Sequence, residues 1–250
     1  MKKKFKILFL IIAMFFVVAC DNKIDSLVKD AKKEVTSNIE NTSKEKIKES
    51  IQYIHDNYEK KISKKYVYHT ILLKRLCDNS HLSESKIKRL ADASYEYMFS
   101  QSVGNKKELK ESINIVYDNL DKEIDNFYTI YQRLIVVEGY LAKAKTKLLV
   151  EADEKDFISN NNIVKAIDYI QDYYDNAFKN NEVIERLCYY SMYLEQVGNK
   201  VKKQNSITNL GKSMKKHMQS GEVKKTEDIT KLLNDIKNNR EALIGELMAR

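Results

Sequence analysis

The chain has 250 residues, no proline and only six glycines, and those omissions narrow its fold more than anything it contains. Proline removes a backbone donor and clashes with the preceding helical turn, and a glycine inside a helix costs about 1 kcal/mol relative to alanine. A chain nearly free of both is written for helices. Lysine, glutamate, leucine and isoleucine fill it, and asparagine marks the turns. No stretch alternates polar and apolar residues long enough to argue a sheet. The expectation is an all-α fold, an elongated multi-helix bundle around one long central helix.

Apolar residues recur at steps of three and four along most of the chain. The first stripe is Ile47, Ile51, Ile54, Tyr58 and Ile62. A second segment at about 66–78 carries Tyr68, Ile71, Leu72 and Leu76. A third opens with Ser83 as cap, uses Ile87, Leu90, Ala91, Tyr97 and Met98, and stops at Val103-Gly104-Asn105. The fourth, from Leu109 to Leu148, has no breaker but Gly139. Unbroken, its roughly 40 residues would span about 60 Å. Later stripes run from Ile163 to Ala177 and from Ile184 to Val197, the latter stopping at Gly198-Asn199. A weaker stripe covers Ile207 to Met218. The last helix opens at Thr226 and carries Ile229, Leu233, Ile236, Leu243 and Leu247, with Arg240 in an apolar slot. It can pack on the bundle or form a homodimer through 226–250.

The N-terminus says where the chain goes. Met1-Lys2-Lys3-Lys4-Phe5-Lys6 leads an apolar run that closes on Val17-Val18-Ala19-Cys20. Cationic start, short apolar core, small residues and then cysteine is the pattern of a bacterial lipoprotein signal. The run is shorter than the roughly 20 apolar residues of a membrane span. An uncleaved anchor and an ordinary secretion signal are the alternatives. Cleavage between Ala19 and Cys20 would leave Cys20 to take palmitate or similar acyl chains. Each buried methylene is worth roughly 0.8 kcal/mol, so two or three chains hold a protein on a bilayer. Residues 1–19 are then signal, 20–43 a lipidated polar tether and 44–250 the helical domain.

Charge is uneven. The precursor carries +8, and loss of the signal removes four lysines and no acid, leaving +4. Eight lysines against one acid fall in one window: Lys200, Lys202, Lys203, Lys212, Lys215, Lys216, Lys224 and Lys225. They are candidate ligands for a polyanion such as a glycosaminoglycan, or a solubilising face. Nucleic acid suits an exported lipoprotein badly. Cys77 and Cys188 read as buried thiols, with one disulfide as the alternative. The four histidines, three of them His55, His69 and His81, read as surface residues without metal-ligand spacing. The acids Asp121, Glu123 and Asp125 read as a solvated helix face. No residue set argues for catalysis, a metal or a cofactor. Sixteen tyrosines are many for this length, and they cluster, notably at Tyr173/Tyr174 and Tyr189/Tyr190/Tyr193. Adjacent helical residues lie about 100° apart, so Tyr189 and Tyr190 cannot both face the core, and exposed tyrosine is enriched at interaction surfaces.

Three short echoes raise a second question. Ile51–Tyr58 resembles Ile167–Tyr174, Arg75-Leu76-Cys77 matches Arg186-Leu187-Cys188, and Val103-Gly104-Asn105-Lys106 matches Val197-Gly198-Asn199-Lys200. Their separations shrink from 116 to 111 to 94. Either a helical unit is duplicated, with the second copy shorter and the two cysteines equivalent, or a biased composition repeats itself by chance.

Together the lysine-rich signal ending in Val17-Val18-Ala19-Cys20, the polar tether and the proline-free helical body resemble the small helical outer-surface lipoproteins of Borrelia spirochaetes, with mycoplasma-type lipoproteins as another source. That resemblance implies a surface-exposed, virulence-associated protein that binds a host protein, of complement-regulator or adhesin type, at the outer membrane. The other functions in play are a structural envelope lipoprotein and a polyanion adhesin using the basic window.

Overall fold

The computed structural model describes residues 24–37, 39, 42–79, 85–221 and 226–249. The fold is all-helical, with no strand among the described residues. Among the described residues ten α-helices run in order: α1 (24–36), α2 (Lys44–Asn57), α3 (Lys64–Asn79), α4 (Lys86–Ser100), α5 (Val103–Tyr117), α6 (Leu120–Glu151), α7 (Asn160–Tyr173), α8 (Asn181–Val201), α9 (Ser206–Ser220) and α10 (Glu227–Met248). They form two compact units, Met1–Tyr128 and Thr129–Arg250, with the division inside α6. Consecutive helices pack on one another in each unit, α2 through α5 in the first and α7 through α10 in the second. None of the described helices is long and apolar enough to cross a membrane.

The two units repeat one plan, and the caps fix its register. Ser43 caps α2 by accepting the Lys46 N–H, and Ser159, 116 residues on, caps α7 by accepting the Asn162 N–H. Both helices have 14 residues, and the buried set Ile47, Ser50, Ile51 and Ile54 returns as Ile163, Ala166, Ile167 and Ile170. A hydroxyl or amide oxygen at this position satisfies one orphan N–H of the first turn and is worth about 1 kcal/mol. At the next helix Ser63 accepts the Tyr66 N–H at 3.1 Å and Asn180, 117 residues on, accepts the Val183 N–H at 2.9 Å. Ser85 and Asn205, 120 apart, cap α4 and α9 through Ile87 N–H and Ile207 N–H. Those helices have 15 residues each and end on left-handed residues, Gln101 (φ 45°) and Gly221 (φ 66°). The buried spacing of α1 (Ile24, Val28, Ala31, Val35) likewise recurs in α6 as Val137, Leu141, Ala144 and Leu148, with Leu141 half-buried.

Only one of the three sequence echoes belongs to this repeat. Ile51–Tyr58 and Ile167–Tyr174 keep the cap-defined register of 116. In the register of Ser63 and Asn180, Cys77 corresponds to Leu194 and Cys188 to Ile71, so the cysteines are not equivalent. Val103-Gly104-Asn105 opens α5, whereas Val197-Gly198-Asn199 lies inside α8, which runs on to Val201. The second copy is longer, not shorter.

Three other expectations change. Residues 24–36 are not a bare tether: Ile24, Val28, Ala31 and Val35 are buried, because the rest of the unit supplies the apolar partners that the segment lacks by itself. The helical domain therefore begins by residue 24. The 40-residue helix is broken at Asp118-Asn119, residues whose side chains compete for backbone bonds and favour turns. What remains, α6, has 32 residues and spans about 48 Å. Thr226 sits at the N-cap of α10, but its hydroxyl makes no cap bond. Ser83, the expected cap of the third helix, lies outside the described residues, and Ser85 caps α4.

Glycine matters most where α9 meets α8. A Cβ on Gly211 would stand 2.6 Å from the Ser191 carbonyl oxygen and 2.8 Å from the Glu195 nitrogen, both backbone atoms. The first unit has Ala91 at the corresponding place. Gly211→Ala should therefore force α9 off α8 and cost about 1–3 kcal/mol, read as a lower urea midpoint with an unchanged slope.

Candidate functional site

The repeat makes the second unit's oddity visible. In the register of the α3 and α8 caps, Leu72, Leu73 and Leu76 of α3 become Tyr189, Tyr190 and Tyr193 of α8, and His69 becomes Arg186. The three leucines are buried, at 2%, 0% and 0% exposure. Leucine thus satisfies the packing of this scaffold at the corresponding positions.

The three tyrosines line a half-open groove of about 620 Å³ among the C-terminal half of α6, the segment that follows it, α7 and α8. Tyr140, Phe157, Tyr189, Tyr190 and Tyr193 give it aromatic walls, and Lys143, Lys147, Lys165, Arg186, Glu151, Glu154, Glu182 and Glu185 charge its rim. The rings form a continuous series. Phe157 meets Tyr193 edge-on at 5.2 Å, Tyr193 stacks on Tyr189 at 6.4 Å, and Tyr189 meets Tyr190 at 5.4 Å. Tyr190 then contacts Tyr169 at 5.2 Å, which stacks on Tyr173 at 4.5 Å. Cations stand over this series: Lys200 at 5.1 Å from Phe157, Lys147 at 4.7 Å from Tyr189 and Arg186 at 5.7 Å from Tyr169. Such contacts contribute about 0.5–1 kcal/mol each at exposed sites.

Hydrogen bonds hold the rings in place. Tyr189 donates to Glu151 Oε2 at 2.5 Å, and Lys147 lies 3.6 Å from the other oxygen of that carboxylate. Burial first, and then the bond to Glu151, push the Tyr189 phenol well above its usual range, so it stays a donor. Tyr193 donates to the Phe157 carbonyl at 2.7 Å, and burial raises its pKa too. Arg186 pairs with Glu182 at 2.8 Å while covering Tyr169. Of the adjacent pair, Tyr190 is buried and Tyr189 half-buried. Tyr140 and Tyr189 are half-buried and Phe157, Tyr190 and Tyr193 buried, so the groove presents the partly covered edge of an aromatic cluster with paired charges at its rim.

Among the described residues of the basic window, four lysines are engaged within the unit. Lys200 donates to the Ala152 carbonyl, and Lys203 donates to the Glu246 and Ala249 carbonyls at 2.8 and 2.7 Å. Lys212 bonds Gln204 at 2.7 Å and Lys215 pairs with Glu195 at 2.5 Å. Lys202 and Lys216 are exposed. Lys224 and Lys225 lie outside the described residues, as do Ala19 and Cys20 with the lipid site, and His81. The apolar stripe of α10 is spent within its own unit, with Ile229, Leu233, Ile236, Ile244 and Leu247 buried. Arg240, in its apolar slot, reaches back to α7 and pairs with Asp168 at 2.5 Å.

Cys77 and Cys188 are buried free thiols, and burial raises Cys188 to about 12. The acids at the start of α6 are engaged: Asp121 with Lys48 at 2.7 Å, Glu123 with Lys86 at 2.7 Å and Asp125 with Lys44. Two histidines are not surface residues. His217 is 5% exposed and His69 1%. His69 stacks on Tyr53 at 4.7 Å, and its Nδ1 lies 2.9 Å from Ser50 Oγ. Ser50 donates to the Lys46 carbonyl and is fully buried, so this pair presents no nucleophile to solvent. Among the described residues no three His, Cys, Asp or Glu side chains converge as a metal ion would require.

The sequence pointed to Tyr189, Tyr190 and Tyr193 but not to Arg186, Lys147, Glu151, Phe157 or Tyr140. The spacing of Lys147 and Glu151, one helical turn apart, was the available signal. No protein-family profile, curated protein or solved structure matches this chain.

Proposed function

We propose that this chain is a membrane-tethered, non-catalytic binding module that docks a host protein on the tyrosine groove of its second unit. The observation that carries the proposal is the replacement of three core leucines by Tyr189, Tyr190 and Tyr193 on a repeated scaffold. Tyrosine and arginine dominate the binding energy of protein interfaces, because each covers a large area with few rotatable bonds. The N-terminal pattern ending at Cys20 supports lipid anchorage, and the resemblance to spirochaetal outer-surface lipoproteins implies the outer membrane and the cell surface.

The experiment presents vesicles carrying the full lipoprotein to host serum. A retained serum protein is the expected result, with a loss of ten-fold or more when Tyr189→Leu and Tyr190→Leu are combined. Losing a hot-spot residue costs about 2 kcal/mol or more. The first unit already shows that leucine fits there, so the variant keeps its fold. Retention no greater than by empty vesicles, or retention indifferent to the double substitution, overturns the reading.

A further inference from the structure

On α6, Ile135, Gly139, Ala142, Thr146 and Leu149 follow one another at steps of four, three, four and three, a single helical stripe, with Val150 at its edge. All six residues are exposed. Ile135, Leu149 and Val150 are 37%, 63% and 72% exposed, three of the five large exposed hydrophobics among the described residues. No charge interrupts this stripe over about four turns, in a chain that is 32% charged. A Cβ on Gly139 would meet nothing within 4 Å.

The first unit carries a charged version of this exposed face. In the register that aligns the buried residues of α1 and α6, Ala142 corresponds to Lys29, Thr146 to Lys33, Leu149 to Thr36 and Val150 to Ser37. The flanks are alike, with Asp25 and Lys32 in place of Glu138 and Lys145. The second unit has lost the lysines from the middle of the face and kept the charges at its edge.

The stripe is also self-complementary. Its large residues, Ile135 and Leu149, lie seven positions either side of Ala142, and its small ones lie between. Glu138 and Lys145 share one edge, two turns apart, and neither has an ion-pair partner among the described residues. An antiparallel pairing with a twofold axis at Ala142 would set Ile135 against Leu149 of the other copy. It would bring the small centres together at about 8 Å between axes, and place Glu138 beside the other copy's Lys145 twice over. Lys143, on the opposite edge, turns toward the Tyr140 ring, 5.1 Å away.

We propose that the outward face of α6 is the docking surface for a second copy of this chain, as an antiparallel α6 pair centred on Ala142. One helix pair buries less than the roughly 800 Å² per partner of a standard interface. The pair is therefore weak in dilute solution and forms where the chain is concentrated, as on a membrane.

Disulfide trapping of the full chain in membranes of cells producing it tests the geometry. Ala142→Cys should give a covalent dimer under mild oxidation at ten-fold or more the yield of wild type and of Lys29→Cys, the corresponding site on α1. Leu149→Cys alone should not, since an antiparallel pair holds the two copies of that residue about 21 Å apart along the axis. Co-expressed Ile135→Cys and Leu149→Cys chains should cross-link to each other. Glu138→Lys should lower the Ala142→Cys yield several-fold, and adding Lys145→Glu should restore it. Leu149→Cys trapping as well as Ala142→Cys would establish a parallel pair and overturn the proposal. So would Ala142→Cys trapping no better than Lys29→Cys, which would leave the face to another partner.

Discussion

Alanine at Ile54 or at Ile170 is expected to lower stability by about 2–5 kcal/mol, and by similar amounts at the two sites. Both side chains are fully buried, and they occupy the same place in α2 and α7, eleven positions after the capping serines Ser43 and Ser159. Deleting a buried isoleucine to its Cβ loses its transfer energy and leaves a cavity that close-packed neighbours only partly refill. Equal penalties follow if the repeat extends to packing as well as to helix register. Urea unfolding of each variant, followed by circular dichroism, measures them. A loss below about 1 kcal/mol at one site with a full penalty at the other would mean that the two cores have diverged around a shared backbone plan.

The second large effect is on pH. His69 is buried, and burial pushes its pKa from 6.5 down to about 4, opposed by the nearby Glu49 and reinforced by Lys46 and Lys65. The imidazole is wedged between Tyr53 and Tyr68, with Ser50 on Nδ1 and Glu49 3.9 Å from Nε2. In the unfolded chain the ring takes up its proton near pH 6.5; in the folded chain it does so only near 4. Between those values the unfolded state binds more protons, so stability rises with pH across the window. It is complete above about 6.5 and is lost as pH falls toward 4. At about 1.4 kcal/mol for each pH unit between 6.5 and 4, the full loss is at most about 3.5 kcal/mol. His217 is held down by burial as well and adds slope of the same sign. His69→Phe should keep the stacking and flatten most of the dependence when urea midpoints are compared at pH 7 and pH 5. An unchanged slope would assign the acid sensitivity elsewhere.

The helical nature of the chain was open to reading because proline and glycine are so scarce, and the apolar stripes placed most helices. The breaks were harder. Asp118-Asn119 ended a helix that periodicity alone would have carried on, because two short polar side chains can divert the backbone where the apolar spacing continues across them. The repeat was half visible. Ile51–Tyr58 gave the correct register, while the cysteine and Val-Gly-Asn matches pulled the later separations the wrong way. Caps carry that register better than core residues do, since Ser43, Ser63 and Ser85 each bond a defined N–H, whereas isoleucine and leucine fit many phases of an amphipathic helix. The tyrosines of the groove stood out in the sequence, but their meaning depended on Leu72, Leu73 and Leu76, which only the cap-based register sets beside them. Buried histidine was not legible at all, since His69 reaches its position through contacts with α2 that no local pattern announces.

Among the described residues the tyrosine series occurs in one unit of two, so on the proposed reading a lone molecule would offer a single seat. Two chains joined along α6 would offer a pair on one assembly. A partner carrying repeated epitopes could then be held by both at once, and its release would require two simultaneous departures, lengthening residence far beyond what either contact achieves by itself.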